Sequence, residues 1–133
     1  MSRSVTEHPT QLELEILSII WRDGPSTVRQ VRDALAPTRD LAFTSVLTTM
    51  KTMVKKGYLA GNFRSQKDGG TLYTALVARD RTGAQMIKLL ARRIFGGSIV
   101  SAVQSLLREG TIQQEEIDEL RNVLSKDTRR RRK

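Results

Sequence analysis

Between Thr44 and Thr52 the chain places Thr44, Ser45, Thr48, Thr49, Lys51 and Thr52, with no carboxylate among them. Hydroxyl side chains and cations at that density suit contact with a nucleic-acid duplex. A threonine methyl can touch a thymine methyl, and its hydroxyl can bond a base edge or a phosphate. Small side chains also let a helix backbone sit deep in a major groove. Thr44, Ser45, Thr48, Lys51 and Thr52 are therefore the candidates for contact with bases. Lys55 and Lys56 follow, and cations there suit phosphate contacts, which position a protein without specifying a sequence. Arg29, Arg32 and Arg39 lie upstream, and Arg64 and Lys67 downstream, where a sugar–phosphate backbone would pass. A merely solvated helix face would favour Glu, Lys, Gln and Ala instead.

Other chemistries lack their residues. There is no cysteine and one histidine, His8, so neither a zinc site nor a histidine-based triad can be assembled. The carboxylates Glu115, Glu116, Asp118 and Glu119 crowd the start of one segment, where a helix N-terminus favours them for structural reasons. Gly96-Gly97 lies between helical patterns and follows no strand, so it is not a phosphate loop. No catalysis, no metal and no cofactor are expected.

The charge is unevenly spread. The formal net charge is +9, yet residues 1–40 carry −1, residues 41–93 carry +8, residues 94–125 carry −3 and residues 126–133 carry +5. A basic middle between near-neutral flanks is the electrostatic footprint of a polyanion binder. That polyanion is double-stranded DNA on the first reading. The alternative is a basic protein-interaction module that docks an acidic protein partner. No apolar run approaches the ~18 residues of a membrane span, so membrane insertion is not expected. The start, MSRSVTEHPTQ, lacks a signal-peptide core, and absent cysteines fit a reducing compartment, so the expected location is cytoplasmic.

The elements that must hold these residues can be read from spacing. Residues 1–9 read as a flexible lead-in. Thr10 with Glu13 forms a capping box, opening a helix to about Arg22 with Leu12, Ile16, Ile19 and Ile20 on one face. Asp23, Gly24 and Pro25 stop it. Ser26 or Thr27 caps a second, short helix, and Pro37 lies beyond its end. In LAFTSVLTTMKTMVKKG the many threonines lean toward strand by propensity. Pattern decides otherwise: at 100° per residue Phe43, Val46, Leu47, Met50, Met53 and Val54 fall in one arc of about 120°. The segment is a helix closed by Gly57. YLAGNFR and TLYTALV then read as two strands, joined by a turn whose Asp68-Gly69-Gly70 supplies positive φ. Three helices followed by a hairpin make a mainly α, winged helix-turn-helix domain over residues 10–79.

Residues 80–125 read as a helical dimerisation domain, reached through a short polar connection near 78–82. Met86, Leu89, Leu90, Ile94 and Phe95 mark one amphipathic helix, and Ile99, Val103, Leu106 and Leu107 a second. Thr111 with Gln114 forms a capping box opening a third, striped by Ile117, Leu120 and Leu124. Each helix offers one apolar face, which a second copy across a two-fold axis would bury. Residues 126–133, KDTRRRRK, read as a basic, disordered tail.

LELEILSIIWRDGPSTVRQVRDAL followed by LAFTSVLTTMKTMVKKGYL closely resembles the BlaI/MecI/CopY family of bacterial repressors, the penicillinase repressors. The shared pieces are Glu-x-x-Ile-Leu-x-x-x-Trp in the first helix, Gly-Pro with Thr-Val-Arg after it, and the threonine-rich helix ending Lys-Lys-Gly. The likeness continues, more weakly, through FGGSIVSAVQSLL and EEIDELRNVL. The resemblance implies a homodimer that represses transcription at palindromic operators, often of β-lactam resistance genes. It also implies release by cleavage within the dimerisation domain, initiated by a membrane sensor protease system. Two departures stand out. The cysteine motif of the copper-responsive branch is missing, so copper sensing is not expected. Where the staphylococcal repressors are cut at an Asn-Phe bond, the matching pair here is Ser105-Leu106, the candidate cleavage site.

Overall fold

The computed structural model describes residues 8–67 and 69–131. Its elements are α1 (Gln11–Asp23), α2 (Val28–Leu35), α3 (Phe43–Lys55), β1 (Leu59–Ser65), β2 (Gly70–Ala75), α4 (Arg79–Ile94), α5 (Ile99–Arg108) and α6 (Gln114–Arg131). This is a winged helix with additional helices, the mainly α class expected from the pattern. Most of the lead-in, Asp68 of the turn and the last two residues of the tail lie outside the described residues. The chain forms two compact units that divide between Met86 and Ile87.

In the first unit local signals and packing agree. The Glu13 N–H donates to Thr10 Oγ1 at 3.2 Å and the Thr10 N–H donates to Glu13 Oε1 at 2.9 Å. Two N–H groups that α1 cannot pair are thereby satisfied. Thr27 and Gln30 repeat the device for α2, at 3.2 and 2.9 Å. Ser26, the other candidate cap, pairs instead with β2: its N–H donates to the Tyr73 carbonyl at 3.0 Å, and the Tyr73 N–H returns a bond at 2.8 Å.

α3 is a helix, as its period predicts. It ends at Lys55 with Lys56 as its C-cap, and Gly57, the next residue, takes φ 86°. The Gly57 N–H donates to the Val54 carbonyl (3.0 Å) and the Tyr58 N–H to the Met53 carbonyl (2.9 Å). That paired closure needs a residue in the left-handed region, which glycine enters at least cost. The buried stripe is narrower than the expected arc. Val46, Met50 and Met53 are fully buried, whereas Phe43 and Val54 are 40% and 38% exposed. Positions i, i+4 and i+7 face the core, and Phe43 and Val54, both on one side of the arc and at opposite ends of the helix, fall at its rim.

Ile16, Leu17, Val31 and Leu59 complete a single core with the α3 stripe. β1 and β2 pair antiparallel, Leu59 opposite Ala75 and Gly61 opposite Tyr73. A Cβ on Gly61 would meet the Tyr73 ring and Thr71 Cγ2 at 3.2 Å, so glycine lets that ring lie close across the hairpin. Gly69 and Gly70 have the positive φ expected of the turn. Register shifts between Phe63 and Ser65, leaving Arg64 at a bulge. β2 stops short of the expected Leu76 and Val77. There the Trp21 Nε1–H donates to the Val77 carbonyl at 2.9 Å, tying α1 to the chain leaving the hairpin.

Three expectations for the C-terminal third are corrected. Residues 78–82 are no connection: α4 begins at Arg79, and no glycine or proline in ARDRT opposes a helical first turn. The cap of α6 is set by Gln113 and Glu116, the Gln113 N–H donating to Glu116 Oε1 at 3.1 Å. Thr111 instead closes α5, its N–H reaching the Leu106 carbonyl at 3.1 Å while Gly110 takes φ 72°. Finally, residues 126–131 are helical, the last turns of α6. Arginine and lysine are good helix formers, and cations there complement the dipole of a helix C-terminus.

Candidate nucleic-acid interface

α3 carries the expected base-reading residues on the side opposite its buried stripe. Thr44, Ser45, Thr48, Lys51 and Thr52 are all exposed, as is Lys55 one turn further on. Thr49 lies at the edge of this face, half-buried, with its Oγ1–H donating to the Ser45 carbonyl at 2.9 Å. That back-bond removes one hydroxyl from outside contact, so the open hydroxyls are those of its neighbours. Ala42 precedes the helix and provides no side-chain cap. The Ser45 and Val46 N–H groups turn back to the Ala42 carbonyl at 3.1 and 3.2 Å, and the positive end of the α3 dipole favours negative charge near Thr44.

The surrounding cations divide into two sets. Arg29 and Arg32 are exposed on α2, Lys67 on the hairpin turn and Arg64 at the bulge. Arg39 and Lys56, which sequence reasoning counted with them, hold internal carboxylates. Arg39 Nε–H donates to Glu15 Oε1 at 2.6 Å and its Nη2–H to Glu15 Oε2 at 3.1 Å. These hydrogen bonds hold the Glu15 carboxyl below the usual carboxylate range and raise the Arg39 guanidinium. Lys56 Nζ–H donates to Glu13 Oε2 at 2.9 Å and lies 5.9 Å from the centre of the Tyr58 ring. Glu13 is 3% exposed, so Lys56 neutralises a carboxylate that α1 has taken out of water. Both cations brace the ends of the α3 region against α1. Pairing across 24 and 43 residues leaves no periodic trace; the sequence hint was two acids, Glu13 and Glu15, interleaved with Leu12, Leu14 and Ile16 in the first turns of α1.

The expected dimerisation residues are distributed over both units. Met86, at the end of the first, is half-buried, as are Leu89, Phe95, Val103 and Ile117. Leu90, Ile94, Ile99, Leu106, Leu107, Leu120 and Leu124 are exposed, Ile94 at 66% and Leu124 at 58%. Ile87, Val100 and Val123 are exposed too and were missed; Ile87, Leu90 and Ile94 make an i, i+3, i+7 stripe that could have found the first of them. Ser105 and Leu106, the candidate cleavage pair, lie inside α5. Among the described residues no cluster of His, Asp and Glu could hold a metal ion, and no helix is long and apolar enough to cross a membrane.

The match to known proteins covers nearly the same stretch as these elements. The family model described as Penicillinase repressor matches residues 9–126. The Transcriptional regulator BlaI of Mycobacterium tuberculosis (strain ATCC 25618 / H37Rv) is 32% identical over 116 residues, covering 86% of this chain and 80% of that protein. The Methicillin resistance regulatory protein MecI of Mammaliicoccus sciuri is 25% identical over 114 residues, covering 86% of this chain and 90% of its own. MecI of Staphylococcus aureus (strain N315) is 24% identical over the same length. A winged helix matched from before α1 to within α6 leaves one conclusion: the chain belongs to the penicillinase repressor family of transcriptional regulators.

Proposed function

We propose that the protein is a homodimeric repressor that reads palindromic operators in double-stranded DNA through α3. One observation carries this reading: an exposed face of threonine, serine and lysine without a carboxylate, on a helix whose other side is locked into the core. Thr44, Ser45, Thr48, Lys51 and Thr52 face the bases. Arg29, Arg32, Lys55, Arg64 and Lys67 face phosphates. Arg39 and Lys56 act mainly by holding α1 to the α3 region. The exposed apolar residues of α4, α5 and α6 are the surface for a second copy, and two copies related by a two-fold axis would present two α3 helices to two half-sites.

Release follows from the same surface. Proteolysis at Ser105-Leu106, driven by a membrane sensor protease system, would divide the dimerisation helices. The Ser105 carbonyl accepts a helical hydrogen bond from the Glu109 N–H at 3.0 Å. A protease binds extended chain, so α5 must open locally before it is cut. The repressor itself acts in the cytoplasm.

Anisotropy titrations with the DNA upstream of its own gene test the reading. Thr48→Ala should weaken operator binding more than binding to random duplex. Lys55→Ala should weaken both and flatten the salt dependence by about one phosphate contact. Equal losses for Thr48→Ala on the two duplexes would remove the base-reading role. A chain that binds no duplex at low salt would be the acidic-partner module instead.

A further inference from the structure

Phe43, Leu47 and Phe63 line one cleft of about 510 Å³ between the first turns of α3, the start of α2 and the hairpin. Phe43 is 40% and Phe63 60% exposed, while Val46, Met50 and Met53 fill the core beside them. Single exposed apolar residues are ordinary. Two exposed phenylalanine rings and a leucine in one concavity, with the buried Tyr73 behind them, are not explained that way. Arg29 and Lys67 line the same cleft, and no carboxylate does so among the described residues. Apolar walls with cations and no acid fit a strand of nucleic acid, which offers apolar base and sugar surface beside a phosphate.

Resting on the DNA reading above, we propose that this cleft receives the operator strand next to the threonine face, and that Phe43 reads a thymine 5-methyl group there. Phe43 lies on the first turn of α3, and the N-terminal residues of a recognition helix are those that reach base edges. It shares an i, i+4, i+8 ridge with Leu47 and Lys51, so it borders the threonine face directly. The apolar group that a base pair exposes in the major groove is the thymine methyl, and phenylalanine is among the side chains that contact it. Phe63 stands on the hairpin wall, where its ring packs on deoxyribose and carries no sequence preference.

The experiment compares two duplexes of the region upstream of the protein's own gene, one natural and one with deoxyuridine replacing every thymidine. The second keeps all phosphates and Watson–Crick edges and lacks the methyls. The full wild-type chain should bind the methyl-free duplex several-fold more weakly. Phe43→Ala should lose about tenfold on the natural duplex and most of that preference, at an unchanged salt slope. Phe43→Gln, which retains most of the volume and so guards against a folding defect, should lose the preference as well. Phe63→Ala should weaken both duplexes alike. A preference unchanged in both Phe43 variants, a preference absent from the wild type, or one lost in Phe63→Ala overturns the assignment while leaving DNA binding intact. A wild type that binds neither duplex at low salt overturns the DNA reading itself.

Discussion

The two units of the chain treat the same kind of residue in opposite ways. From α1 to the hairpin, large apolar side chains close on one another: Ile16, Leu17, Val31, Val46, Met50, Met53 and Leu59 are all essentially out of water. From Ile87 on, the helices are as regular, yet Ala91 alone among their described hydrophobic residues is buried, and Ile94, Val100 and Val123 are 60% exposed or more. A helix of ten or eighteen residues gains most of its stability from packing its apolar face, and propensity alone leaves it marginal in water. The first unit therefore closes its own core, and the second leaves its apolar faces exposed. Exposed apolar area of this kind is what the proposed second copy would cover.

That contrast can be broken most sharply at one buried methionine. Met50→Ala should cost about 3 kcal/mol in a denaturant titration, because it empties a fully enclosed site. The matching change Leu124→Ala should leave single-chain unfolding within about 0.5 kcal/mol. Its effect should appear in the dimer dissociation constant, measured by sedimentation. A large unfolding penalty for Leu124→Ala with no change in association would mean the second unit has a core of its own.

A smaller effect is expected from separating the units. A chain ending at Met86 should keep the melting transition of the winged helix and sediment as a monomer. It should bind the operator about 100-fold more weakly, since two linked contacts become one. A dimer from residues 1–86 would move the interface into the first unit.

The smallest effect concerns the brace between Glu15 and Arg39. The folded state holds Glu15 below its ordinary value, so the pair contributes stability at neutral pH. That contribution is lost as the pH falls through the lowered folded value. The melting-temperature difference between wild type and Arg39→Gln should thus be present at pH 7 and vanish in acid. Both side chains are partly in water, so the difference should be modest and should shrink in salt. A difference that persists in acid would assign Arg39 a packing role.

Much of this was legible in the residues. Period separated helix from strand in the threonine-rich segment, because the 3.6-residue repeat of Val46, Met50 and Met53 outweighs the β preference of threonine. Caps at Thr10 and Thr27 and the stop at Gly57 followed from local hydrogen bonding, which acts over three or four residues wherever the chain lies. The α6 cap at Gln113 was misplaced because Thr111-Gln114 and Gln113-Glu116 have the same spacing. Choosing between them depended on where α5 ended.

By itself the sequence determined the helix faces, the hairpin and the carboxylate-free surface of α3, since each is a matter of spacing along one element. Only the tertiary structure decided which cations stay available. Arg39 and Lys56 look like Arg32 and Lys55 in the sequence, yet Glu15 and Glu13 approach them across 24 and 43 residues. It also decided that Phe43 lies at the rim of the core, in a cleft with Phe63, and not inside it. A periodic pattern fixes the direction of a side chain from its helix axis, but burial depends on what the rest of the chain brings to meet it.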